Sequence, residues 1–353
     1  MPLVLGIEST CDETAAAVVA DGWDVRSNVV ATQVELHAKY RGVVPEIASR
    51  AHIENLLPVL HEAVANDARG FAELDAIAVA HRPGLIGSLL IGVTAAKTLA
   101  WTLGKPLIAV DHVHAHLYSV MLEKGAIPAF PAVGLVVSGG HTALYRVGAW
   151  DDVELIGSTI DDAVGEAYDK VAAVLGLGYP GGPVVDQLAA EGDANAVRFP
   201  RTLLERDSLD FSFSGLKTAV LYHVRGVPGR RRGEDVRLGA PSAQPVDVPL
   251  SPQQLRDVCA SFQAACVDVI ATKLRRAVER VGATSVIIGG GVSANRGLRA
   301  ALERFGVPVY FPPLRYCTDN AAMSAGLADV HYRAGRFAGL DLDAITYSQF
   351  AAK

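Results

Sequence analysis

Three histidines within five residues, His112, His114 and His116, are the side chains of this sequence best suited to chemistry. They follow the apolar run 106–110 and Asp111, a residue type that caps helices. On a helix, residues four apart lie on one face, so His112 and His116 would present two imidazoles to one point and begin a metal site. On a strand all three would share one face, and histidines that bind no metal are a further alternative.

This five-residue segment lacks the general base of zinc peptidases. Those enzymes carry a glutamate directly after the first of two helical histidines, whereas Val113 stands there in this sequence. The segment therefore favours metal binding over peptide hydrolysis. A remote carboxylate would complete a site of two histidines and one carboxylate, which suits Fe²⁺, with Zn²⁺ or Mn²⁺ as alternatives. Asp319 is a candidate, although its place before the small-residue helix 321–328 is also typical of a helix cap.

Two glycine-rich turns follow apolar runs and are candidates for phosphate contact. The first, 138–142, contains adjacent glycines, which let backbone N–H groups approach a phosphate closely. The second, 289–295, ends a predicted strand and opens a helix, where Asn295 would reach a ribose or a base. It lacks the GxGxxG spacing, which disfavours a nicotinamide enzyme. A simple reversal of the chain is the alternative for both turns.

The acidic segment 161–170 is predicted to be helical. Its carboxylates, Asp169 among them, would bind ribose hydroxyls or form a solvated face paired with Lys170. The glycine turn 179–183 follows and would run close to a ligand, and Asp186 lies one turn into the next helix.

The order of predicted elements repeats in the two halves of the chain. The predicted strands are 3–7, 14–20 and 25–32 in the first half, and 132–137, 142–147 and 153–158 in the second. Later in each half a strand, 76–80 or 285–288, leads into a glycine turn and a helix. Long amphipathic segments at 46–64 and 255–281 are predicted core helices. The pattern predicts two α/β lobes, each a mixed sheet with helices, with a nucleotide cleft between them.

The bulk properties are those of a globular protein of two ordinary domains. The 353 residues are 50% hydrophobic and 20% charged, with a net charge of -6 and a mean hydropathy of +0.26. Four scattered cysteines, no signal sequence and no apolar run that approaches a membrane span predict a cytoplasmic protein without membrane contact. A basic stretch from Lys217 to Arg237 leads into the Pro-rich segment 239–252. This stretch is either a local nucleic-acid patch or a solvated insertion.

Nine segments, taken in order, resemble the tRNA adenosine threonylcarbamoyltransferase family and together cover nearly the whole chain. They are GIESTCDET (6–14), VVPEIASRAHIENLLP (43–58), HxxxH (112–116), VSGGHT (137–142), DDAVGEAYDKVA (161–172), YPGGP (179–183), FSFSGLKT (211–218), GGGVSANRGLR (289–299) and CTDNAAM (317–323). One departure is the stretch 226–250, which is long and basic beside the compact family pattern.

The resemblance implies a duplicated actin-like, sugar-kinase-like α/β fold. It implies transfer of a threonylcarbamoyl group from threonylcarbamoyl-AMP to the exocyclic amine of the adenosine 3′ of the anticodon. His112, His116 and Asp319 would hold one Fe²⁺ per chain, and Asp12 and Glu13 would be catalytic carboxylates near the reacting group. The residues implied to contact the donor nucleotide are Val136, Val137, Ser138, Gly139, Gly140, His141, Asp169, Gly182, Asp186 and Asn295.

The resemblance also implies partners and boundaries. The partners are tRNA, a related inactive paralogue that docks on the first lobe, and a small ATPase. The first lobe would span 1–129, with 326–353 packing back on it, and the second 130–325, with a basic Pro-rich loop at 225–252. Three rival functions stay open. They are a small-molecule kinase of the same fold, which has no evident need for the histidine pair, a metalloprotease, and a nucleotide-gated scaffold without chemistry.

Overall fold

The strands lie in two sheets of the computed structural model, which describes residues 1–66, 70–123, 127–205, 207–226 and 250–347. Within these residues each sheet has five strands. The first sheet contains β1 (Leu3–Glu8), β2 (Glu13–Ala20), β3 (Asp24–Thr32), β4 (Ala76–Arg82) and β5 (Leu107–Asp111). The second contains β6 (Ala132–Val137), β7 (Thr142–Ala149), β8 (Asp152–Ser158), β9 (Ser285–Gly289) and β10 (Val309–Tyr310).

The two sheets have the same topology. The strand order is β3-β2-β1-β4-β5 in the first and β8-β7-β6-β9-β10 in the second. In each, the first three strands in sequence are antiparallel neighbours, and the last two continue the sheet in parallel. Ile7 therefore pairs with Ala16 on one side and Val79 on the other, as Leu135 pairs with Leu144 and Ile288. The predicted duplication of mixed α/β halves is confirmed.

Ten helices accompany the sheets in the described part of the chain. They are α1 (Val34–Ala38), α2 (Pro45–Ala65), α3 (Ile86–Leu103), α4 (His112–Tyr118), α5 (Val164–Val174), α6 (Gly181–Ala189), α7 (Ser214–Arg225), α8 (Pro252–Val281), α9 (Arg296–Leu302) and α10 (Ala321–Arg333). The amphipathic segments 46–64 and 255–281 are α2 and α8, as predicted.

The acidic segment 161–170 is helical only from Val164, so the prediction was wrong for its first three residues. The reason is a long-range contact of Asp161. Its carboxylate accepts hydrogen bonds from the Phe213 backbone N–H at 2.9 Å and from the Ser212 hydroxyl at 2.6 Å. These bonds tie Asp161 to the start of α7 and hold it outside α5.

Alternation along β1 sends its side chains to two different cores. Leu3, Leu5 and Ile7 pack with α2 and α3 on one face of the first sheet. Val4 packs on the other face, together with residues of α4 and α10. By this alternation Glu8, the last residue of β1, points toward the face that carries α4 and α10.

Helix α4 lies between the two sheets. Val113 and Leu117 pack with Val136 and other residues of the second sheet, whereas Ala115 and Tyr118 pack in the cluster under the first sheet. With two of its faces buried against different sheets, the helix is held in place from both sides. Its histidines at 112 and 116 are thereby fixed at the junction of the lobes.

Helix α10 lies almost in contact with the backbone of β1. A Cβ placed on Gly6 would come within 2.5 Å of the Ala321 carbonyl oxygen and 2.8 Å of the Ala325 Cβ. Glycine is therefore required at position 6 for the helix to approach this closely. Because Asp319 directly precedes α10, this close approach also sets the position of Asp319.

We expect Gly6→Ala to destabilise the protein by about 1–3 kcal/mol, since the added methyl group forces α10 away from β1. The free energy of unfolding in urea measures this effect. Gly42→Ala is the matched control, because a Cβ at Gly42 meets nothing within 4 Å among the described residues. Equal stability of the two variants would contradict the close-approach argument.

Helix α3 is the described helix that is long and apolar enough to cross a membrane by length and composition, with 18 residues and a mean hydropathy of 1.4. The prediction that no apolar run approaches a membrane span is wrong by these two measures. Leu89, Val93 and Ala96 of α3 are nevertheless buried in the core of the first sheet. A core helix of a globular protein passes the same test, so the finding is weak evidence for a span.

The C-terminal segment returns to the first sheet. Helix α10 contacts β1 and β2, Ala338 forms a bridge with Leu107 of β5, and the Ile345 N–H donates to the His81 carbonyl of β4 at 2.9 Å. The lobe boundaries 1–129, 130–325 and 326–353 stay predictions. Most of the predicted basic loop at 225–252 lies outside the described residues, which end at 226 and resume at 250.

Candidate functional site

Helix α4 presents the histidine pair as the spacing predicted. The Asp111 carboxylate caps the helix by accepting hydrogen bonds from the N–H groups of Val113 at 3.0 Å and His114 at 3.3 Å. The alternative in which this segment is a strand is therefore wrong. His112 and His116 lie on one face with their ring centroids 4.6 Å apart. Both side chains are buried.

Asp319 joins the two histidines from a distant part of the chain. One of its carboxylate oxygens lies 3.0 Å from His116 Nε2 and 3.6 Å from His112 Nε2. The three potential ligand atoms lie within 4.8 Å of one another. The cap of α10 is Asn320, whose side chain accepts from the Met323 N–H at 3.1 Å. The alternative in which Asp319 merely caps this helix is therefore wrong.

The cluster fits a divalent cation. Two imidazole nitrogens and one carboxylate oxygen converge in a buried position, and this donor set binds Fe²⁺, Zn²⁺ and Mn²⁺. Burial by itself would lower the pKa of His112, but the charges of Glu8 and Asp319 raise it to about 9. Burial would likewise raise the pKa of Asp319, and the charge of His112 and the bond from His116 hold it below its ordinary value. The negative charges of Glu8 and Asp319 thus favour a positive charge in the cluster, which either a proton or a metal ion can supply.

His141 lies beside this cluster. Its ring centroid is 6.4 Å from that of His112. Burial and then the charges of His112 and His116 lower its pKa to about 4. The ring is therefore neutral at pH 7. A cavity of about 630 Å³ opens next to it, lined in part by Val113, Tyr145 and Tyr347.

The turn after β6 is tight and open to solvent. The Ser138 N–H donates to the His141 carbonyl at 2.8 Å, and the His141 N–H donates to the Ser138 hydroxyl at 3.1 Å. Gly139 and Gly140 are exposed, with no atom within 4 Å of a Cβ placed on either. The side chains of Val136 and Val137 are buried in the cores on opposite faces of the second sheet. At positions 136 and 137 the backbone is therefore the part able to meet a ligand.

The other residues predicted to bind the nucleotide differ in their surroundings. Asp169 accepts from the Gly181 N–H at 2.7 Å, and burial raises its pKa. In the part of the chain that the structure describes, a Cβ placed on Gly182 meets nothing within 4 Å. Asp186 forms an ion pair with Arg296 at 2.8 Å.

Asn295 has two partners within the protein. Its side-chain oxygen caps α9 by accepting from the Leu298 N–H, and its amide nitrogen donates to the Gln263 side chain at 2.7 Å. Asn295 is 8% exposed, so only a small part of the residue is open to a ligand.

Asp12 lies in the turn from β1 to β2, and Glu13 is the first residue of β2. Burial and then the charge of Asp319 raise the pKa of Asp12. Burial raises the pKa of Glu13 to about 7, although a 2.9 Å hydrogen bond from the Thr32 hydroxyl acts in the opposite direction. A carboxyl that titrates near pH 7 is suited to accept a proton from a weakly acidic group.

Sequence reasoning missed Glu8, which is completely buried and contacts His112 Nδ1 at 3.0 Å. The available signal was its type and place. Glu8 is an acidic residue at the end of an apolar strand, directly before the turn that leads to Asp12 and Glu13. A buried carboxylate at such a position requires a partner.

The family model of the tRNA N6-adenosine threonylcarbamoyltransferases matches residues 24–326. A tRNA N6-adenosine threonylcarbamoyltransferase from Moorella thermoacetica is 50% identical over 349 residues, 97% of this chain and 95% of that protein. Among solved structures, T. kodakarensis HypF has a TM-score of 0.59 at 18% identity, over 95% of this chain and 48% of that chain.

A second solved structure, component A of the (R)-2-hydroxyglutaryl-CoA dehydratase of Acidaminococcus fermentans, has a TM-score of 0.53 at 14% identity. The match covers 95% of this chain and 99% of that chain. At these low identities both structures speak for the fold alone, and they agree with the predicted duplicated actin-like architecture. The family model matches most of the chain, and the relative is 50% identical over 97% of it. The chain therefore belongs to the tRNA N6-adenosine threonylcarbamoyltransferase family.

Proposed function

We propose that this protein transfers the threonylcarbamoyl group of threonylcarbamoyl-AMP to the exocyclic amine of the adenosine 3′ of the anticodon. The products are AMP and N6-threonylcarbamoyladenosine in tRNAs that read codons beginning with A. The observation that carries the proposal is the buried cluster of His112, His116 and Asp319 at the junction of two like lobes, in a chain of this family. We place the enzyme in the cytoplasm with its tRNA substrate.

The reaction needs stabilisation of negative charge and removal of one proton. The adenine nitrogen attacks the carbamoyl carbon, the bond from that carbon to the phosphate oxygen of AMP breaks, and the amine loses a proton. Negative charge grows on the carbonyl oxygen and on the departing phosphate. A divalent cation, when bound by His112, His116 and Asp319, supplies positive charge to those oxygens. Fe²⁺ is our proposed cation, with Zn²⁺ or Mn²⁺ as alternatives for this donor set.

The chain positions the donor by its glycine turns. We propose that the N–H groups of Gly139 and Gly140 donate to the phosphate, because both residues are exposed and have open space beside them. Asp169 and Gly182 would contact the ribose side of the nucleotide. Asp186 and Asn295 would contribute the hydrogen-bonding capacity that their bonds to Arg296 and Gln263 leave available.

Glu13 is our proposed acceptor for the proton of the amine. Its pKa of about 7 leaves a large part of it ionised at neutral pH and still able to take up a proton. Asp12, whose pKa is also raised, is the neighbouring carboxylate that would bind the adenine base to which the threonylcarbamoyl group is transferred. The cavity next to His141 is our proposed entrance for the adenine base.

Mass spectrometry of tRNA nucleosides tests the proposed function. Unmodified tRNA is incubated with threonylcarbamoyl-AMP and the protein, with its proposed partners, in the presence of Fe²⁺ or of a chelator. We expect modified adenosine that disappears with the chelator. Phosphorylation of a small alcohol or acid by Mg-ATP, or cleavage of a protein substrate, with no modified adenosine under any condition, would favour the kinase or the protease instead.

We propose that a related inactive paralogue docks on the first lobe, over the outer face of α2 and α3, and that a small ATPase acts with the pair. Helix α2 carries the exposed side chains of Ile53 and Leu57, 62% and 66% exposed, and α3 carries Ile86 and Leu90, also exposed. The two helices are in contact, and a Cβ on Gly87 would meet Ser49. Contiguous exposed apolar side chains of this kind indicate a protein interface.

We expect Leu57→Glu to weaken binding of the purified paralogue at least about tenfold, because a charge would be buried in an apolar contact. Isothermal titration calorimetry measures this affinity. Ile127→Glu is the control, since Ile127 is 77% exposed but lies in the connection that leads to β6. Undiminished binding by Leu57→Glu would place the paralogue on another surface.

A further inference from the structure

We propose that Glu8 is a positioning residue that holds His112 in the one orientation and tautomer in which its Nε2 faces Asp319 and the cation. The inference rests on the proposed metal site and adds to it a fourth side chain, which does not itself touch the metal. It follows from the hydrogen bonds around Glu8.

Glu8 lies where alternation along β1 puts it, on the face shared by Val4 and Gly6, under α4 and α10. Its side chain is 0% exposed. A carboxylate buried to this degree is costly unless several donors satisfy it. The identity of those donors therefore indicates what the residue is for.

Each carboxylate oxygen of Glu8 has a defined partner. Oε1 accepts from the Thr10 N–H at 2.9 Å, and this bond fixes the plane of the carboxylate. Oε2 lies 3.0 Å from His112 Nδ1 and 3.4 Å from the Ser324 hydroxyl. Because a carboxylate only accepts hydrogen bonds, the imidazole must carry its proton on Nδ1.

The location of that proton decides which nitrogen of His112 is left for a metal. With Nδ1 protonated, the lone pair lies on Nε2, which is the nitrogen 3.6 Å from the Asp319 carboxylate. A metal-binding histidine whose other nitrogen donates to a carboxylate is both fixed in orientation and made a stronger donor. Glu8 and Asp319 together also bring two negative charges to the cluster, which offset a divalent cation in a buried place.

Glu8 contacts residues of two further elements. It belongs to β1, binds His112 at the start of α4, and accepts from Ser324 of α10, the helix that directly follows Asp319. Among the three proposed ligands, His112 is the one for which the described residues show a direct bond to Glu8.

Metal titration of Glu8→Gln tests the proposal. The glutamine has nearly the same shape but carries no charge and is a weaker acceptor. We expect Zn²⁺ and Co²⁺ to bind about 10- to 100-fold more weakly than to the unaltered protein, measured by calorimetry, with an unchanged circular dichroism spectrum of the metal-free protein. Ser324→Ala is the matched control, because it removes a bond to the same Oε2 and leaves His112 untouched. We expect its metal affinity to equal that of the unaltered protein.

Equal metal affinity of Glu8→Gln and the unaltered protein would overturn the proposal while leaving the metal site in place. Failure of the unaltered protein to bind either metal would overturn the site and the proposal together. If Glu8→Gln does not fold, NMR of the unaltered protein still tests the role of Glu8. In the zinc-loaded protein labelled with ¹⁵N at histidine, we expect the His112 proton on Nδ1 by NMR, and a proton on Nε2 would refute the role of Glu8.

Discussion

Asp319→Ala is expected to abolish tight binding of a divalent cation while the fold stays intact. The substitution removes the carboxylate that lies 3.0 Å from His116 and 3.6 Å from His112 and leaves two imidazoles as ligands. Loss of a direct ligand should weaken metal binding more than loss of a residue that only positions a ligand. Metal affinity should therefore fall by more than about 100-fold. Modified adenosine should disappear with the metal. Metal content after dialysis and thermal unfolding of the metal-free protein measure the two parts of this expectation.

The neighbouring residue provides the control. Asn320 caps α10 through its bond with the Met323 N–H, so Asn320→Ala should cost about 1 kcal/mol of stability and leave the metal ligands in place. We therefore expect Asp319→Ala to lose metal affinity with the fold intact, and Asn320→Ala to lose stability with metal affinity retained. An Asp319→Ala protein that still holds one cation per chain would refute the assignment of Asp319 as a ligand.

Glu13→Gln is expected to lower kcat/KM by roughly 10²- to 10⁴-fold, the usual contribution of a general base. The same change should remove a pH dependence. Because the pKa of Glu13 is raised to about 7, the carboxylate needed to accept a proton is scarce at pH 6 and dominant at pH 8. The activity of the unaltered protein should therefore rise with pH through about 7. The measurement is kcat/KM against pH with preformed threonylcarbamoyl-AMP.

Thr32→Val sharpens this test. The Thr32 hydroxyl donates to Glu13 at 2.9 Å and lowers the pKa of Glu13 against the effect of burial. Without that bond the pKa should rise, and the increase of activity should move to higher pH. If Glu13→Gln kept the rate and the pH profile of the unaltered protein, the proton would go to another acceptor.

Much of the architecture could be predicted from the sequence because the determinants are local. The apolar run in 14–20 and the helical spacing in 255–281 depend on neighbours a few residues apart, and β2 and α8 follow them closely. The spacing of His112 and His116 likewise needs only one helical turn and its cap. Glycine turns after apolar runs marked the ends of β6 and β9.

The rest depends on contacts between distant segments. Asp161 precedes α5 instead of joining it because its partners are at the start of α7. Asn295 has the residue type of a ligand, but its side chain is bound to Gln263 across the second lobe. Such partners are set by packing, which no local pattern encodes.

The sequence by itself determined the two repeated halves, the shared face of the histidine pair and, through its nine segments, the family. For Asp319, 203 residues beyond His116, the sequence left a helix cap and a metal ligand open, and the tertiary structure decided for the histidine pair. The contact of Glu8 with His112 came from the tertiary structure alone. The physical reason is the close approach of α10 to Gly6 of β1, together with the burial of α4 between the sheets. Periodicity reports which side of an element is buried, whereas packing alone decides which buried groups meet.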